Sequence, residues 1–223
     1  LPGLALAQSD RGQERLVAMS ESFLASHPDL RYRLEGLDAL DRGRAAEAVG
    51  LFRRAARYAD KPSQSMLGEM HWTGSGVPVD RVLGYIWMDV AAERGYPLLV
   101  AKRESYWSQL TPEQRLQVRE RGLDVMDEYG DPAAKPRLAK LLERGKRGAT
   151  GSRLGFVGAL VIRIPTAVGY QEVRGHEYYA DKFWEPDAYF RWQDRDWQQP
   201  QGTVDVGEVL PDSGTGPGED NRD

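Results

Sequence analysis

The chain has 223 residues and no cysteine. That excludes disulfides, thiolate metal sites and cysteine nucleophiles, and leaves the redox compartment open. No apolar run approaches the ~20 residues of a membrane-spanning helix. A basic excess is missing as well: 30 lysines and arginines face 34 aspartates and glutamates, for a formal net charge of −4. Nucleic-acid binders carry the opposite imbalance, so nucleic acid is not an expected partner. Only three histidines occur, His27, His71 and His176, each in a different segment. There is no phosphate-binding loop, nucleophile elbow or zinc signature, and no cofactor or metal site is implied.

What is present is a helical pattern centred on residues 65–96. Leu67, Met70 and His71 sit at helical spacing before Gly74-Ser75-Gly76, where an ordinary helix stops. Val77-Pro78 offers an apolar anchor and a fixed φ. Asp80 is placed to cap the next helix, its carboxylate facing the positive end of the dipole. Gly84, Trp87, Met88, Ala91, Ala92 and Gly95 follow at steps of three and four. A mid-helix glycine such as Gly84 costs about 1 kcal/mol against alanine, an expected local weakness. Ala48, Leu51, Phe52, Ala55 and Ala56 lie 36 positions before Gly84, Trp87, Met88, Ala91 and Ala92, which identifies an internal repeat. The next copy fades: the same step from Leu67, Met70 and His71 reaches Arg103, Tyr106 and Trp107.

These residues resemble the Sel-one-like repeats, solenoid relatives of the tetratricopeptide repeats, with their pattern L-G-x-x-Y-x-x-G-x-G-V-x-x-D followed by A-x-x-W-x-x-x-A-A-x-x-G. The chain supplies Leu67, Gly68, Trp72, Gly74, Gly76, Val77, Asp80, Trp87, Ala91, Ala92 and Gly95. It departs at Trp72, which stands in the aromatic position after His71, and at Gly84, where the family has alanine. The resemblance covers roughly residues 36–128 and implies an all-α fold, a short right-handed α-solenoid of helix-turn-helix repeats.

Taken in order, Ala5-Leu6-Ala7 fits the small-x-small pattern before a signal-peptide cleavage site, with Gln8 opening the mature chain. Residues 1–7 then read as the end of a signal peptide, the alternative being an ordinary apolar terminus. Export predicts a periplasmic or secreted protein without a lipid anchor, since no cysteine can carry one. Residues 8–147 form the repeat domain. Helices are expected over 13–25, 29–42 (carrying Leu30, Leu34, Leu37 and Leu40), 44–58, from Pro62, and over 97–110. A further helix is capped by Thr111 and Gln114 and runs to Glu128; another begins at Asp131-Pro132 and ends near Gly145. Residues 148–199 form a mostly irregular, aromatic-rich extension packed on the solenoid. Its β-branched run 156–164 favours a short strand or hairpin ended by Pro165. Residues 200–223 form a flexible acidic tail.

Several groups are candidates for function. His71 reads as a packing histidine, because Glu69 two positions earlier points elsewhere on the helix; His176-Glu177 could titrate near neutrality but lacks a surrounding catalytic pattern. Gly74-Ser75-Gly76 is a helix–helix turn, with neither the preceding strand nor the following lysine of a phosphate loop. Residues 135–153 hold seven basic side chains against Glu143 alone, and residues 205–223 hold six acidic ones against Arg222. Arg137, Lys140, Arg144 and Arg147 recur on one helical face. They read as a solvated surface, as the site for an anionic patch on a partner, or as a rest for the chain's own tail. The aromatics of 176–197 serve to cap the solenoid, to contact a partner, or to bind carbohydrate or lipid. Candidate partner-binding residues are thus Arg137, Lys140, Arg144 and Arg147, with Tyr85 and Trp107 on the repeat.

Two classes of function remain. The resemblance implies a non-enzymatic scaffold or adaptor of the bacterial envelope that holds a protein or peptide, or an immunity protein that neutralises a secreted toxin. The other class is a cell-wall-acting enzyme using Asp187 and Asp194. Oligomeric state is left open.

Overall fold

The computed structural model describes residues 12–150 and 160–198; residues 1–11, where a signal-peptide end is expected, 151–159 and 199–223, where an acidic tail is expected, lie outside the described residues. Within them the chain is helical apart from one hairpin. A helix over 12–18 (α1) is followed by α2 (Glu21–Leu24), α3 (Pro28–Asp41), α4 (Ala45–Ala56), α5 (Lys61–Thr73), α6 (Arg81–Ala92), α7 (Pro97–Gln109), α8 (Pro112–Tyr129) and α9 (Asp131–Thr150). Strands β1 (Val161–Thr166) and β2 (Gly169–Arg174) pair antiparallel, with Ile164 opposite Gln171. Helices α10 (Gly175–Tyr178), α11 (Asp181–Trp184) and α12 (Pro186–Gln198) complete the chain.

The repeat is visible in the boundaries themselves. Helices α4 and α6 begin and end 36 positions apart, and so do α5 and α7. The signals read from the sequence produce it. Asp80 accepts from the Leu83 amide at 2.9 Å, while Gly74, Gly76 and Gly95 have φ of 83°, 74° and 72°. Asp60 caps α5 through the Ser63 amide, and Thr111 with Gln114 forms a reciprocal capping box at α8. The regular step ends at α8, which packs across α6 instead of pairing with α7.

Three apolar clusters hold the layers together. Phe52, Leu67, Trp87 and Tyr129 join α4, α5, α6 and α8. Met88, Ala92, Tyr96 and Tyr106 join α6 to α7. Phe23, Leu138, Ile164, Val173, Phe183, Trp184 and Tyr189 join the chain's start to α9, the hairpin and the C-terminal helices. A two-stranded hairpin is marginal alone, and Ile164 and Val173 anchor this one in that third cluster.

Several expectations need correction. Residues 13–25 are two helices, because Ser20 turns its hydroxyl onto the Val17 carbonyl at 2.8 Å and the chain restarts at Glu21. Helix α3 buries Leu30, Gly36 and Ala39, whereas Leu37 is 40% exposed. Helix α9 continues beyond Gly145 to Thr150. Pro165 does not end β1; it sits within the strand opposite Tyr170, where a missing N–H is tolerated on an edge. The extension is also less irregular than expected, being helical over most of 175–198.

Gly84 is a contact point and not a weakness. A Cβ there would lie 2.9 Å from the Trp72 nitrogen and 3.0 Å from the Gly68 carbonyl oxygen, so α5 and α6 touch backbone to backbone. Gly50 in α4 has nothing within 4 Å of the same added atom. Gly50→Ala should therefore stabilise by up to about 1 kcal/mol through helix propensity. Gly84→Ala should lose about 1 kcal/mol net, since overlap of about 2 kcal/mol outweighs that gain. Opposite shifts of Tm in the two variants check this pair of signs.

Candidate interaction surface

Helices α7 and α8 both pack on α6, and a seam of aromatic and charged side chains lies between them. Tyr85 and Trp107 meet there with ring centroids 5.0 Å apart at 44°. Arg115 lies over the Trp107 ring at 4.9 Å and donates through Nη2 to the Trp107 carbonyl at 3.0 Å. Beside them Trp72 stacks on Tyr106 at 3.9 Å, flanked by Arg81 and Lys102. Arg103 donates to Asp89 at 3.4 Å and to Glu104 at 2.6 Å. Burial, then the Asp89 charge, pushes the Tyr85 phenol up to about 12. It therefore remains a neutral hydroxyl at any ordinary pH. Three leucines of the same two helices are exposed: Leu98 is 62%, Leu116 59% and Leu123 68% exposed. Two of the residues singled out from the sequence, Tyr85 and Trp107, are thus neighbours.

The basic residues of α9 divide. Arg137 is only partly exposed and donates to the carbonyls of Glu128 and Arg57, which ties α9 to the end of α8 and to α4. Arg147 meets Glu143 through both its carbonyl and its carboxylate. Lys140 and Arg144 are exposed, and among the described residues neither makes a hydrogen bond or ion pair. Asp187 and Asp194 sit two turns apart on α12, but Asp194 accepts from Arg94 Nη1 at 3.0 Å and from the Tyr96 hydroxyl. A carboxylate held in that way is a structural anchor.

The largest polar assembly was not foreseen from the sequence. Arg94, just past α6, donates from Nε and Nη2 to both oxygens of Asp131, from Nη2 to the Ala59 carbonyl, and from Nη1 to Tyr96 Oη and Asp194. Lys61 is 1% exposed and places its three donors on the Val90 carbonyl, Glu93 and Asp131. These two cations hold the Asp131 carboxyl well below the usual carboxylate range against the opposing effect of burial. Arg33 bonds Asp60 at 2.9 Å, while burial pushes the Asp60 carboxyl up. Asp29 accepts from the Tyr189 hydroxyl at 2.6 Å and from Gln193 Nε2 at 2.7 Å. A small cavity of about 100 Å³ lies at the centre, walled by Arg33, Lys61, Arg94, Tyr96, Trp192, Gln193 and Trp197. Because the donors of Lys61 and Arg94 are held by fixed acceptors, this assembly clamps α12 onto the repeat.

His27 closes the same clamp from the other end. It stacks on Phe23 at 3.6 Å, and its two nitrogens face the Phe23 and Phe183 carbonyls at 2.8 Å each. Burial pulls its pKa below the ordinary 6.5, against Asp29 and the two carbonyls, which pull it back up. The unfolded chain therefore takes up the proton first. The contribution of His27 is fully present above the ordinary value and is lost as pH falls from there toward the folded value, at most about 1.4 kcal/mol per pH unit. The stability gap between wild type and His27→Gln should narrow from pH 7.5 to pH 5.5 in urea unfolding; a constant gap would refute the assignment.

Among the described residues no group of three His, Asp or Glu side chains is arranged to hold a metal ion, and no helix is long and apolar enough to cross a membrane. No protein-family model matches the chain, and no curated protein matches it. Among solved structures it is similar to a protective antigen of uropathogenic Escherichia coli strains that displays an SLR fold. That match has 26% identity and a TM-score of 0.44, and covers 52% of this chain and 26% of the other. The chain thus spans about a quarter of that protein's length.

Proposed function

We propose that this protein is a non-enzymatic interaction module of the bacterial cell envelope that holds a protein or peptide on its α6–α8 seam. The observation that carries the reading is the pairing of Tyr85 with Trp107 beside Arg115. Half-buried aromatics on a rigid helical frame lose little entropy on binding and dominate interface energies. The buried charges around α12 are engaged with one another, which argues against the enzyme reading in particular. Asp194 is engaged by Arg94 and Tyr96, so it is not a free carboxylate for Asp187 to pair with.

The test is capture of partners from an envelope extract by wild type and by Trp107→Ala and Tyr85→Ala, each shown to keep its Tm within a few degrees. At least one captured protein should lose affinity about 30-fold in Trp107→Ala. Asp187→Asn should leave its binding unchanged. Unaltered capture by both aromatic variants would move the binding surface elsewhere. The envelope location rests on Ala5-Leu6-Ala7 before Gln8; recovery of the whole protein in the cytoplasmic fraction would remove it.

A further inference from the structure

The charges around the α6–α8 seam do not balance. The carboxylates there are taken: Asp80 by Arg121 at 2.6 Å, Glu69 by Lys102 at 3.0 Å, and Asp89 and Glu104 both by Arg103. Three arginines have no carboxylate partner among the described residues. Arg81, exposed and one turn before Tyr85 on α6, lies over the Trp72 ring. Arg115 donates from Nη2 to the Trp107 carbonyl, and its buried Nε has no acceptor. Arg119, one turn further along α8, is exposed and makes no hydrogen bond or ion pair among the described residues. The acids nearest to Arg115 and Arg119 on α8 do not offset them. Glu113 and Glu120 lie about 160° and 140° round the helix from Arg115.

We propose that the seam takes an acidic peptide segment of a partner protein, with carboxylates at alternate positions of an extended chain. This deepens the reading above and rests on the seam being the binding surface. Arg115 and Arg119 are four residues apart, a rise of about 6 Å along α8. Side chains on one face of an extended chain repeat every ~7 Å, so residues i and i+2 come into register with the two guanidiniums. Each guanidinium presents a planar edge that matches a carboxylate. Arg81, beside Tyr85, adds a third positive charge. The Tyr85 hydroxyl, protonated at ordinary pH, adds a donor and no negative charge. Rim charges of this kind select the partner and speed the encounter, while the Tyr85–Trp107 pair supplies the anchor.

Three fluorescein-labelled octapeptides test this on the full chain by fluorescence anisotropy: alternating Glu and Thr, four Glu followed by four Thr, and alternating Lys and Thr. The alternating acidic peptide should bind about threefold or more tighter than the block peptide, and the lysine peptide should not bind. Its affinity should fall roughly tenfold between 0.05 and 0.5 M salt. It should fall about fivefold in Arg119→Glu and in Arg81→Glu, whereas Arg191→Glu on α12 should change nothing. Equal affinity of the acidic and lysine peptides, no binding of any peptide, or undiminished binding by Arg119→Glu overturns the proposal. So does a single-stranded DNA octamer that binds as tightly, which would make the seam a general polyanion site. The seam itself stands or falls on Trp107: partner capture lost in Trp107→Ala keeps it even where no acidic peptide binds.

Discussion

Gly76→Ala is expected to destabilise the protein by about 3 kcal/mol, with about 1 kcal/mol from its backbone angle and about 2 kcal/mol from overlap. The two contributions can be separated because the protein supplies both controls. Gly76 has φ of 74°, and a Cβ on it would lie 2.5 Å from the Ala45 carbonyl carbon, 2.6 Å from its oxygen and 2.7 Å from the Ala46 nitrogen. These are backbone atoms at the start of α4, so no side chain can swing aside. Gly43 and Gly95 share a φ of 72° with open space around them, so Gly43→Ala should show the angular cost alone, about 1 kcal/mol. For a chain of this size the Gly76 variant should melt roughly 6–12 °C lower. Equal Tm losses at Gly43 and Gly76 would show that the turn of one repeat does not rest on the helix of the one before.

Arg94→Met should cost about 3–5 kcal/mol, the usual penalty for removing one partner of a buried ion pair. Methionine keeps much of the packing volume, so the loss reports on the donors removed from Asp131, Asp194 and the Ala59 carbonyl. The sign with pH is fixed. A carboxyl whose folded pKa is depressed contributes stability above its ordinary value of 3.8 and loses it as pH falls toward the folded one. The gap between wild type and Arg94→Met should therefore be widest near neutrality and shrink below about pH 4. A second readout is local: α12 should become the first protease-sensitive element, because Arg94 is its link to the repeat. Adding Asp194→Asn to Arg94→Met should cost less than Asp194→Asn alone, since the two share one interaction.

The repeat was legible because its determinants are local. Glycines with positive φ, an aspartate cap, a capping box and alanines at helical spacing each act within a few positions of one another. The helical nature of 186–198 was legible in principle, for Tyr189, Phe190, Gln193, Asp194 and Trp197 recur at helical steps. Just before it, Tyr178, Tyr179, Phe183 and Trp184 belong to two four-residue helices and the turn after the first, which breaks the period. The clamp could not be read at all. Arg33 reaches Asp60, Lys61 reaches Glu93, Arg94 reaches Asp194, and Asp29 reaches Tyr189, pairings that exist only once the chain has returned on itself. Of the aromatic candidates, Tyr85 and Trp107 came together because α6 and α7 repeat the α4–α5 step. Arg115 joined them from a helix that departs from that step.

Helix α12 has one further consequence. It touches Glu14 near the chain's beginning through Trp192 and Arg195, α3 through Tyr189 and Gln193, and the far turn at Arg94 and Tyr96 through Asp194 and Trp197. It therefore gauges the span from α1 to the α6–α7 turn like a fixed strut. Open helical arrays lengthen through duplication of a unit, each new copy docking on the last. Here an additional 36-residue copy inserted ahead of α6 would carry Arg94 and Tyr96 out of reach of Asp194. The number of units between α1 and the α6–α7 turn is consequently set by the reach of α12.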